Sequence, residues 1–390
     1  MNILVIGNGF DLAHGLPTTY TNFLEFIEAF TGIIDNPHIM SCGYLQNTEK
    51  TIYKYLDRLI FKDVRIKKEF EKLIRPNMWI EYFLNNSDYI MENWIDFESE
   101  ISKVIKSLDD DMSAQKSKIG DQVESLSNGY LAEYYEKNTL VGQSIDAVIK
   151  GDKQESITFR KIRDELLEDL NRLIRALEIY LSYYVEKEEV GTLVPDIEKI
   201  FFDKVLSFNY TNTYEKLYDV NKLVEYDYIH GQSNIKNDIE GNNMVLGIDE
   251  YLDENKRNQC TDFVAFKKFY QRIYKQTSAV YKDWIDDIRS RKIIQNRQFA
   301  GFDENGSKII RSVMESHHNL FIFGHSLDVT DKDILRELIL NDNVYTTIFY
   351  LNKNVMGQQI TNLVKIIGSD ELIRRTAGRN KTIEFRLQKK

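Results

Sequence analysis

Four short polar stretches in this sequence carry side chains that could act on a bound small molecule. They follow apolar runs and read Ser-Phe-Asn-Tyr-Thr at 207–211, Ile-His-Gly at 229–231, Gly-His-Ser-Leu-Asp-Val at 324–329 and Leu-Asn at 351–352. The imidazole of His230 can take or give a proton near neutral pH, and the amide of Asn209 can orient a hydroxyl group or a water molecule. One such residue after a strand is usually structural, but polar residues after several strands predict a ligand site.

A glycine-rich turn follows the first apolar run. Residues 3–6 are Ile-Leu-Val-Ile, and Gly7-Asn8-Gly9 comes next, ahead of a segment with a helical pattern. Strand, glycine turn and helix is the arrangement that brings backbone N–H groups to a phosphate. Leu12 stands where a third glycine would complete the dinucleotide-binding fingerprint. Nucleotide binding and a tight turn that needs glycine only for its backbone angles are both open at this point.

Six apolar runs predict the strands that position these stretches: residues 3–6, 205–208, 226–229, 244–246, 320–323 and 346–351. Near-continuous apolar runs of this length suit a parallel sheet that is covered on both faces. Amphipathic helical patterns fill the chain between them. We therefore predict an α/β fold, a Rossmann-like parallel sheet with large helical insertions. The predicted domains are a nucleotide-binding domain of residues 1–30, 200–250 and 318–390, a helical insertion at 31–199 and a second helical segment at 251–317.

The composition argues against several classes of protein. The 390 residues include 51 Lys and Arg against 61 Asp and Glu, a net charge of −10, so broad nucleic-acid binding is not expected. The two cysteines, Cys42 and Cys260, are too few for a four-cysteine zinc site and do not indicate a disulfide-rich secreted protein. We find no signal-peptide pattern and no run of about 18 apolar residues, so we expect no membrane span and a cytoplasmic location.

Two further clusters have structural explanations. Asp96 and Glu98 are two residues apart and face different sides of a helix, which favours a charged exposed face over an acid–base pair. A role in a ligand pocket is the alternative for this pair. The mixture of Lys, Arg and aromatic residues at 266–275 also occurs at nucleic-acid sites. At helical spacing in an acidic protein, it favours an amphipathic helix.

Taken together, the motifs resemble the sirtuin-like NAD-binding fold and occur in the same order along the chain. Sirtuins carry Gly-Ala-Gly, five residues and Gly-Ile-Pro; this chain has Gly7-Asn8-Gly9, five residues and Gly15-Leu16-Pro17. Residues 208–211 resemble the sirtuin motif Gln-Asn-Ile-Asp, and His230-Gly231 resembles the catalytic His-Gly. Residues 324–329 resemble Gly-Thr-Ser-Leu-x-Val, and Asn352 resembles the sirtuin Asn that contacts the adenosine ribose.

Longer stretches resemble the AbiH family of phage abortive-infection proteins. The likeness lies in residues 3–26, 206–213, 229–231 and 323–331 and spans most of the chain. This resemblance implies an antiviral effector that acts by abortive infection. A phage-derived trigger or a partner defence protein would fit that role, and a homo-oligomer is compatible with it.

The sirtuin resemblance implies a role for each matched residue. His230 would be the catalytic base, and Asn209 would hold the ribose or the attacking water. The residues implied to contact the nucleotide are Gly7, Asn8, Gly9, Asp11, Thr211, Gly231, Gly324, Ser326, Leu327 and Asn352. NAD would be a substrate or ligand, with no prosthetic group and no metal.

The departures from the sirtuin pattern narrow the expected reaction. The zinc module is missing, so protein deacetylation is not expected; Thr211 replaces an acidic residue near the nicotinamide, and Asp11 replaces a serine near the phosphates. We expect NAD hydrolysis to nicotinamide and ADP-ribose, and the alternative is a non-catalytic nucleotide sensor. A nuclease would need metal-binding carboxylates. Only Asp328, Asp331 and Asp333 are clustered, and either Thr330 or Asp331 is expected to cap the helix that follows.

Overall fold

The computed structural model describes residues 1–36, 62–93, 95–117, 155–190, 192–252, 258–295, 300–302, 308–310, 318–378 and 381–389, and the single residues 52, 56 and 256. These residues contain fourteen α-helices and eight β-strands. Cys42 lies outside them, and Cys260 is exposed and not in a disulfide.

Six parallel strands form the main sheet. The strands along the chain are β1 (Asn2–Ile6), β2 (Lys204–Ser207), β3 (Glu225–Tyr228), β4 (Ala300–Phe302), β5 (Lys308–Ile310), β6 (His318–Phe323), β7 (Val344–Tyr350) and β8 (Ile383–Leu387). β4 and β5 pair antiparallel as a separate ribbon, and the other six follow the order β3-β2-β1-β6-β7-β8. Numbered among themselves, the six strands lie in the order 3-2-1-4-5-6 of the Rossmann fold. The predicted Rossmann-like sheet with helical insertions is confirmed.

The helices lie between the strands of this sheet and in the long insertion after β1. They are α1 (Asn8–Ala13), α2 (Tyr20–Asp35), α3 (Val64–Ile74), α4 (Met78–Leu84), α5 (Ser87–Glu92), α6 (Phe97–Ser117), α7 (Glu155–Tyr183), α8 (Pro195–Glu198), α9 (Thr213–Tyr218), α10 (Lys268–Tyr274), α11 (Tyr281–Gln295), α12 (Lys332–Ile339), α13 (Lys353–Ile367) and α14 (Ser369–Thr376).

Successive residues of β1 lie on opposite faces of the sheet. Ile3 and Val5 belong to one apolar cluster with residues of α11, α12 and α13. Leu4 and Ile6 belong to a second cluster with Phe10 of α1 and with residues of α8 and α9. Both faces of the sheet are therefore covered, which explains why its central strands are almost wholly apolar.

The predicted strands differ from the structure at two places in the main sheet, and the β4–β5 ribbon was not predicted, because its residues lie in the segment expected to be helical. Residues 244–246 are fully buried but form no strand. The backbone N–H of Leu246 donates to the side-chain oxygen of Gln271, and Gln271 donates back to the carbonyl of Leu246, each at 3.1 Å. A glutamine side chain thus takes the place of a neighbouring strand. The sheet's last strand, β8, was not predicted, because its polar and partly exposed Ile-Glu-Phe-Arg-Leu sequence lacks an apolar run.

Contacts divide the chain into two compact units. One comprises Met1–Leu16, Glu189–Gln232 and Thr277–Lys390, and it holds the parallel sheet; the other comprises Pro17–Glu188 and Ser233–Gln276. This division rests on contacts alone, so the predicted boundaries of the domains stay a prediction.

A buried carboxylate organises the second unit. Glu178 of α7 is fully buried and accepts hydrogen bonds from Arg175 (2.7 Å), the Asn234 backbone (3.0 Å) and the side chains of Asn237 (2.7 Å) and Asn242 (2.5 Å). Because one ionised group is satisfied by several donors, the segment after β3 is tied to α7 without an unpaired buried charge.

Two glycine loops meet where the strand order reverses, between β1 and β6. The N–H of Gly9 donates to the carbonyl of Gly324 at 2.8 Å. A Cβ at Gly9 would lie 2.8 Å from the Gly324 Cα, and a Cβ at Gly324 would lie 2.1 Å from the Phe10 nitrogen. Glycine is therefore required here because two backbones touch, and Gly324 also has a left-handed φ of +68°.

Replacing Gly324 by alanine should lower the free energy of unfolding far more than the strain of a left-handed backbone would by itself. Gly378 is a matched control, because it has a φ of +73° and, among the described residues, none apart from its chain neighbours lies within 4 Å of its Cβ position. Gly378→Ala should lower the free energy of unfolding by roughly 1–2 kcal/mol, and Gly324→Ala should lower it by several times more. Urea unfolding of both variants measures the difference; equal losses would contradict the backbone contact.

Candidate functional site

The carboxyl ends of five neighbouring strands bring the predicted site residues to one edge of the sheet. Gly7 follows β1, Asn209 follows β2, His230 follows β3, Gly324 follows β6 and Asn352 follows β7. The chain turns directly after His230, since Gly231 has a φ of +78° and its N–H donates to the Tyr228 carbonyl at 3.0 Å. This is the edge at which open parallel sheets bind ligands, and its crevice lies at the reversal of strand order between β1 and β6.

One carboxylate at this edge lies between two imidazoles. Oδ1 of Asp331 is 3.4 Å from Nε2 of His230, and Oδ2 of the same group is 3.6 Å from Nε2 of His325. The two histidines are each 5% exposed and Asp331 is 8% exposed. The Phe208 ring packs edge-on against both imidazoles, with centroids 5.5 Å and 4.4 Å away. The electrostatic attraction within this group is strengthened by its burial.

The loop after β6 determines which nitrogen of His325 carries its proton. The N–H of Leu327 donates to Nδ1 of His325 at 2.9 Å, so the neutral ring carries its hydrogen on Nε2, which faces Asp331. Leu327 is fully buried and has a φ of +57°, a left-handed conformation that is costly for a residue with a side chain. The packing around the loop holds this conformation.

A second carboxylate at the edge is fully enclosed. Asp11 is 1% exposed, and its Oδ2 accepts a hydrogen bond from the Thr211 hydroxyl at 2.6 Å. Burial raises the pKa of Asp11 to about 6, against the lowering effect of hydrogen bonds from Thr211, Thr213 and Asn209. The two departures from the sirtuin pattern, at positions 11 and 211, are thus the two halves of one hydrogen-bonded pair.

Asn209 ties the end of β2 to the glycine turn. Its side-chain Nδ2 donates to the carbonyl of Gly7 at 3.0 Å, and its backbone N–H donates to the Ser207 hydroxyl at 3.1 Å. A Cβ at Gly7 would lie 2.8 Å from the His325 Cα. Bulky substitutions at Gly7 therefore disturb the loops themselves, whatever ligand the edge binds.

Three of the predicted contact residues are exposed. Asn8 and Ser326 lie on the surface of the loops after β1 and β6, and Asn352 lies on the surface after β7. The Asn352 side chain accepts a hydrogen bond from the Val355 N–H at 3.0 Å and so caps α13. Its structural role is therefore visible in the fold.

The remaining clusters have structural partners. Asp96 accepts hydrogen bonds from the first N–H groups of α6, at Glu98 (3.0 Å) and Ser99 (3.4 Å). Glu98 pairs with Lys268 at 2.8 Å, and Lys267 pairs with Glu250 at 2.7 Å, so the basic residues at 267 and 268 are buried in ion pairs.

The three clustered aspartates have separate roles. Asp328 accepts a hydrogen bond from the Thr330 N–H at 3.0 Å, Asp333 is exposed, and Asp331 faces the two histidines. In the part of the chain that the structure describes, no three His, Cys, Asp or Glu side chains are arranged to hold a metal ion. Among the same residues, every helix is too short or too polar to cross a lipid bilayer.

Sequence reasoning missed Asp331 and assigned no role to His325. Both lie in the motif Gly-His-Ser-Leu-Asp-Val-Thr-Asp at 324–331. The available signal was that a second histidine and a second acidic residue follow the same strand end. Either Thr330 or Asp331 was instead expected to cap the helix that follows. Asp331 does occupy the cap position of α12, but among the described residues its side chain makes no cap hydrogen bond.

The strand order, the glycine contact at its reversal and the helices on both faces define a Rossmann-type α/β protein with large insertions. The family described as bacteriophage abortive infection AbiH matches residues 3–351. The chain therefore belongs to the AbiH family, which indicates a function in bacteriophage abortive infection. No curated protein and no solved structure matches the chain.

Asp11 should make stability depend on pH in a direction opposite to that of a salt-bridged carboxylate. Burial raises the pKa of Asp11 from 3.8 to about 6. The contribution of Asp11 to the free energy of unfolding is therefore fully present below pH 3.8 and is lost as the pH rises through about 6. The loss is on the order of 3 kcal/mol. Asp11→Asn stays neutral, so from about pH 4 to about pH 8 it should gain about that much stability relative to wild type.

Thermal unfolding across this pH range measures the effect. Asp287→Asn is the control, because Asp287 is exposed on α11 of the same unit. Parallel stability curves for wild type and Asp11→Asn would contradict the raised pKa.

Proposed function

We propose that this AbiH protein binds NAD at the carboxyl edge of its sheet and hydrolyses it to nicotinamide and ADP-ribose. The observation that carries the proposal is the convergence of His230, Asn209 and the glycine loops at the reversal of a Rossmann strand order. This is where folds of this class bind dinucleotides. Loss of NAD would arrest the infected cell, which agrees with the family's role in abortive infection.

The exposed loop residues would contact the nucleotide, and the buried ones would support them. Asn8 and Ser326 would meet the phosphates or the ribose from the two sides of the reversal. Gly7, Gly9 and Gly324 would shape these loops, because their backbones pack against the opposite loop. Leu327 would hold the loop after β6 through its hydrogen bond to His325. Asn352 would reach the adenosine ribose from the start of α13.

The Asp11–Thr211 pair supports a nicotinamide site. Sirtuins place a carboxylate at the position of Thr211 and a hydroxyl at the position of Asp11; here the hydroxyl and the carboxylate are exchanged across one 2.6 Å hydrogen bond. The edge thus keeps an acidic group at nearly the same place, and the buried Asp11–Thr211 pair would support the carboxamide site from behind. Gly231, next to His230, would let the substrate approach closely.

Hydrolysis would break the bond between nicotinamide and the ribose. The electron pair of that bond goes to the nicotinamide ring and neutralises its positive charge, so a strong acid catalyst is unnecessary. Water forms the new bond to the ribose carbon, and its proton passes to His230. Asn209, already held by Gly7, would orient the water or the ribose hydroxyl. The transition state resembles the oxocarbenium ion of glycoside hydrolysis.

Replacing His230 by alanine should leave NAD binding nearly unchanged and lower the rate of hydrolysis by about 10²–10⁴-fold, the usual cost of losing a general base. Asn209→Ala should lower the rate as well, and it should also loosen the glycine turn that Asn209 holds. Single-turnover assays with a fluorogenic NAD analogue, run beside calorimetric binding, measure both quantities. Melting temperatures control for loss of the fold.

Full hydrolysis by a folded His230→Ala protein would remove this histidine from the mechanism. Tight NAD binding without turnover by the wild type would contradict hydrolysis and favour the nucleotide sensor.

A further inference from the structure

We infer that the preferred dinucleotide at this edge of the sheet carries a 2′-phosphate, as NADP does, and that Lys353 contacts that phosphate. This preference rests on the proposed hydrolysis of NAD and specifies the substrate of the same site. NADP and water would give nicotinamide, 2′-phospho-ADP-ribose and a proton, by cleavage of the same bond as in NAD. NAD would be the slower substrate of the two.

The sheet places the two halves of a dinucleotide over different strand ends. A Rossmann sheet consists of two halves of three strands, each half binds one mononucleotide, and the halves meet where the strand order reverses. In this protein the halves are β1–β3 and β6–β8. His230 follows β3, so the nicotinamide half of the substrate would lie over β1–β3. The adenosine half would then lie over β6–β8.

The end of β7 is the position at which the adenosine ribose would be recognised. In Rossmann sites, an acidic side chain one strand beyond the phosphate-binding turn accepts a hydrogen bond from the 2′-hydroxyl of NAD, and a cationic side chain accommodates the 2′-phosphate of NADP instead. The phosphate-binding turn of the second half is the loop that begins at Gly324, and the next strand is β7. Leu351, Asn352 and Lys353 follow β7, and all three are exposed.

This part of the chain contains no acidic residue. From position 343 to position 369, through β7 and α13, the sequence has no Asp and no Glu, although the whole chain has a net charge of −10. The two charged residues of this segment are Lys353 and Lys365. The segment therefore offers no carboxylate to accept a hydrogen bond from a 2′-hydroxyl, and none to repel a phosphate.

Both polar side chains at the end of β7 present hydrogen-bond donors. Oδ1 of Asn352 accepts the Val355 N–H at 3.0 Å, so the NH₂ group of this amide is the part left for a ligand. Nζ of Lys353 lies 5.4 Å from the centre of the Tyr350 ring and 3.5 Å from Sδ of Met356. These contacts place the ammonium group beside the end of the strand and leave its charge uncompensated, because no carboxylate of the described residues lies within 4 Å of it.

A phosphate monoester matches this pair of donors. It carries nearly two negative charges at neutral pH, and its oxygens are strong acceptors. Lysine binds phosphate as a point charge, and a hydrogen bond between charged groups should favour NADP over NAD by about 10–100-fold in kcat/KM.

Lys353→Gln tests the contact, because it removes the charge and keeps a long polar side chain. The measured quantity is the ratio of kcat/KM for NADP to kcat/KM for NAD, in which effects common to both substrates cancel. This ratio should be about 10–100 in the wild type and should fall close to 1 in Lys353→Gln. Lys365→Gln is the matched control, since Lys365 is exposed about 18 Å further along the same helix and should keep the wild-type ratio.

Lys353→Glu should bring the ratio below 1. A carboxylate at this position repels the 2′-phosphate and accepts a hydrogen bond from the 2′-hydroxyl, as the acidic residue of a NAD site does. Melting temperatures of the three variants control for loss of the fold.

Calorimetric binding of 2′-phospho-ADP-ribose and ADP-ribose tests the preference without turnover. The wild type should bind the phosphorylated compound about 10–100-fold more tightly. If it does so but releases nicotinamide from neither dinucleotide, the proposed hydrolysis fails and the phosphate contact stands. Equal or weaker binding of 2′-phospho-ADP-ribose by the wild type, binding of neither compound, or an unchanged preference in Lys353→Gln would overturn the inference.

Discussion

The carboxyl edge of the sheet depends on a backbone contact between Gly9 and Gly324. The two loops meet at the reversal of strand order, where the Gly9 N–H donates to the Gly324 carbonyl at 2.8 Å. A Cβ on either glycine would collide with the backbone of the other loop. Because the loops cannot separate without losing this contact, the residues that follow Gly324 have little freedom. The left-handed Leu327, the ring of His325 and the carboxylate of Asp331 are placed as one piece.

Burial strengthens the electrostatic interactions of Asp331 and the two histidines. Asp331 and the two histidines are almost fully enclosed, and Phe208 lines both imidazoles. The Leu327 N–H fixes the orientation of the His325 ring, and burial strengthens the attraction between Asp331 and either imidazole. Asp11 shows the cost of the same enclosure, since burial raises its pKa to about 6 although three side chains donate hydrogen bonds to it.

Sequence reasoning recovered the parts of the fold whose signal is local. The apolar runs at 3–6, 205–208 and 320–323 are buried on both faces of the sheet, so their composition alone marks them as central strands. Residues 244–246 have the same composition, but side chains bond their backbone: Gln271 bonds that of Leu246, and Asn242 and Lys275 bond that of Met244. No local sequence pattern predicts such partners. Contacts between distant segments were also out of reach: the exchange between Asp11 and Thr211 reads in the sequence as two unrelated departures.

The central claim is that this member of the AbiH family consumes NAD at the edge built around His230. Release of nicotinamide from NAD by the purified wild-type protein, measured with and without an extract of phage-infected cells, tests it most directly. The account predicts nicotinamide and ADP-ribose in equal amounts, in at least one of the two conditions. Intact NAD in both conditions, with a folded protein that binds it, would contradict the claim.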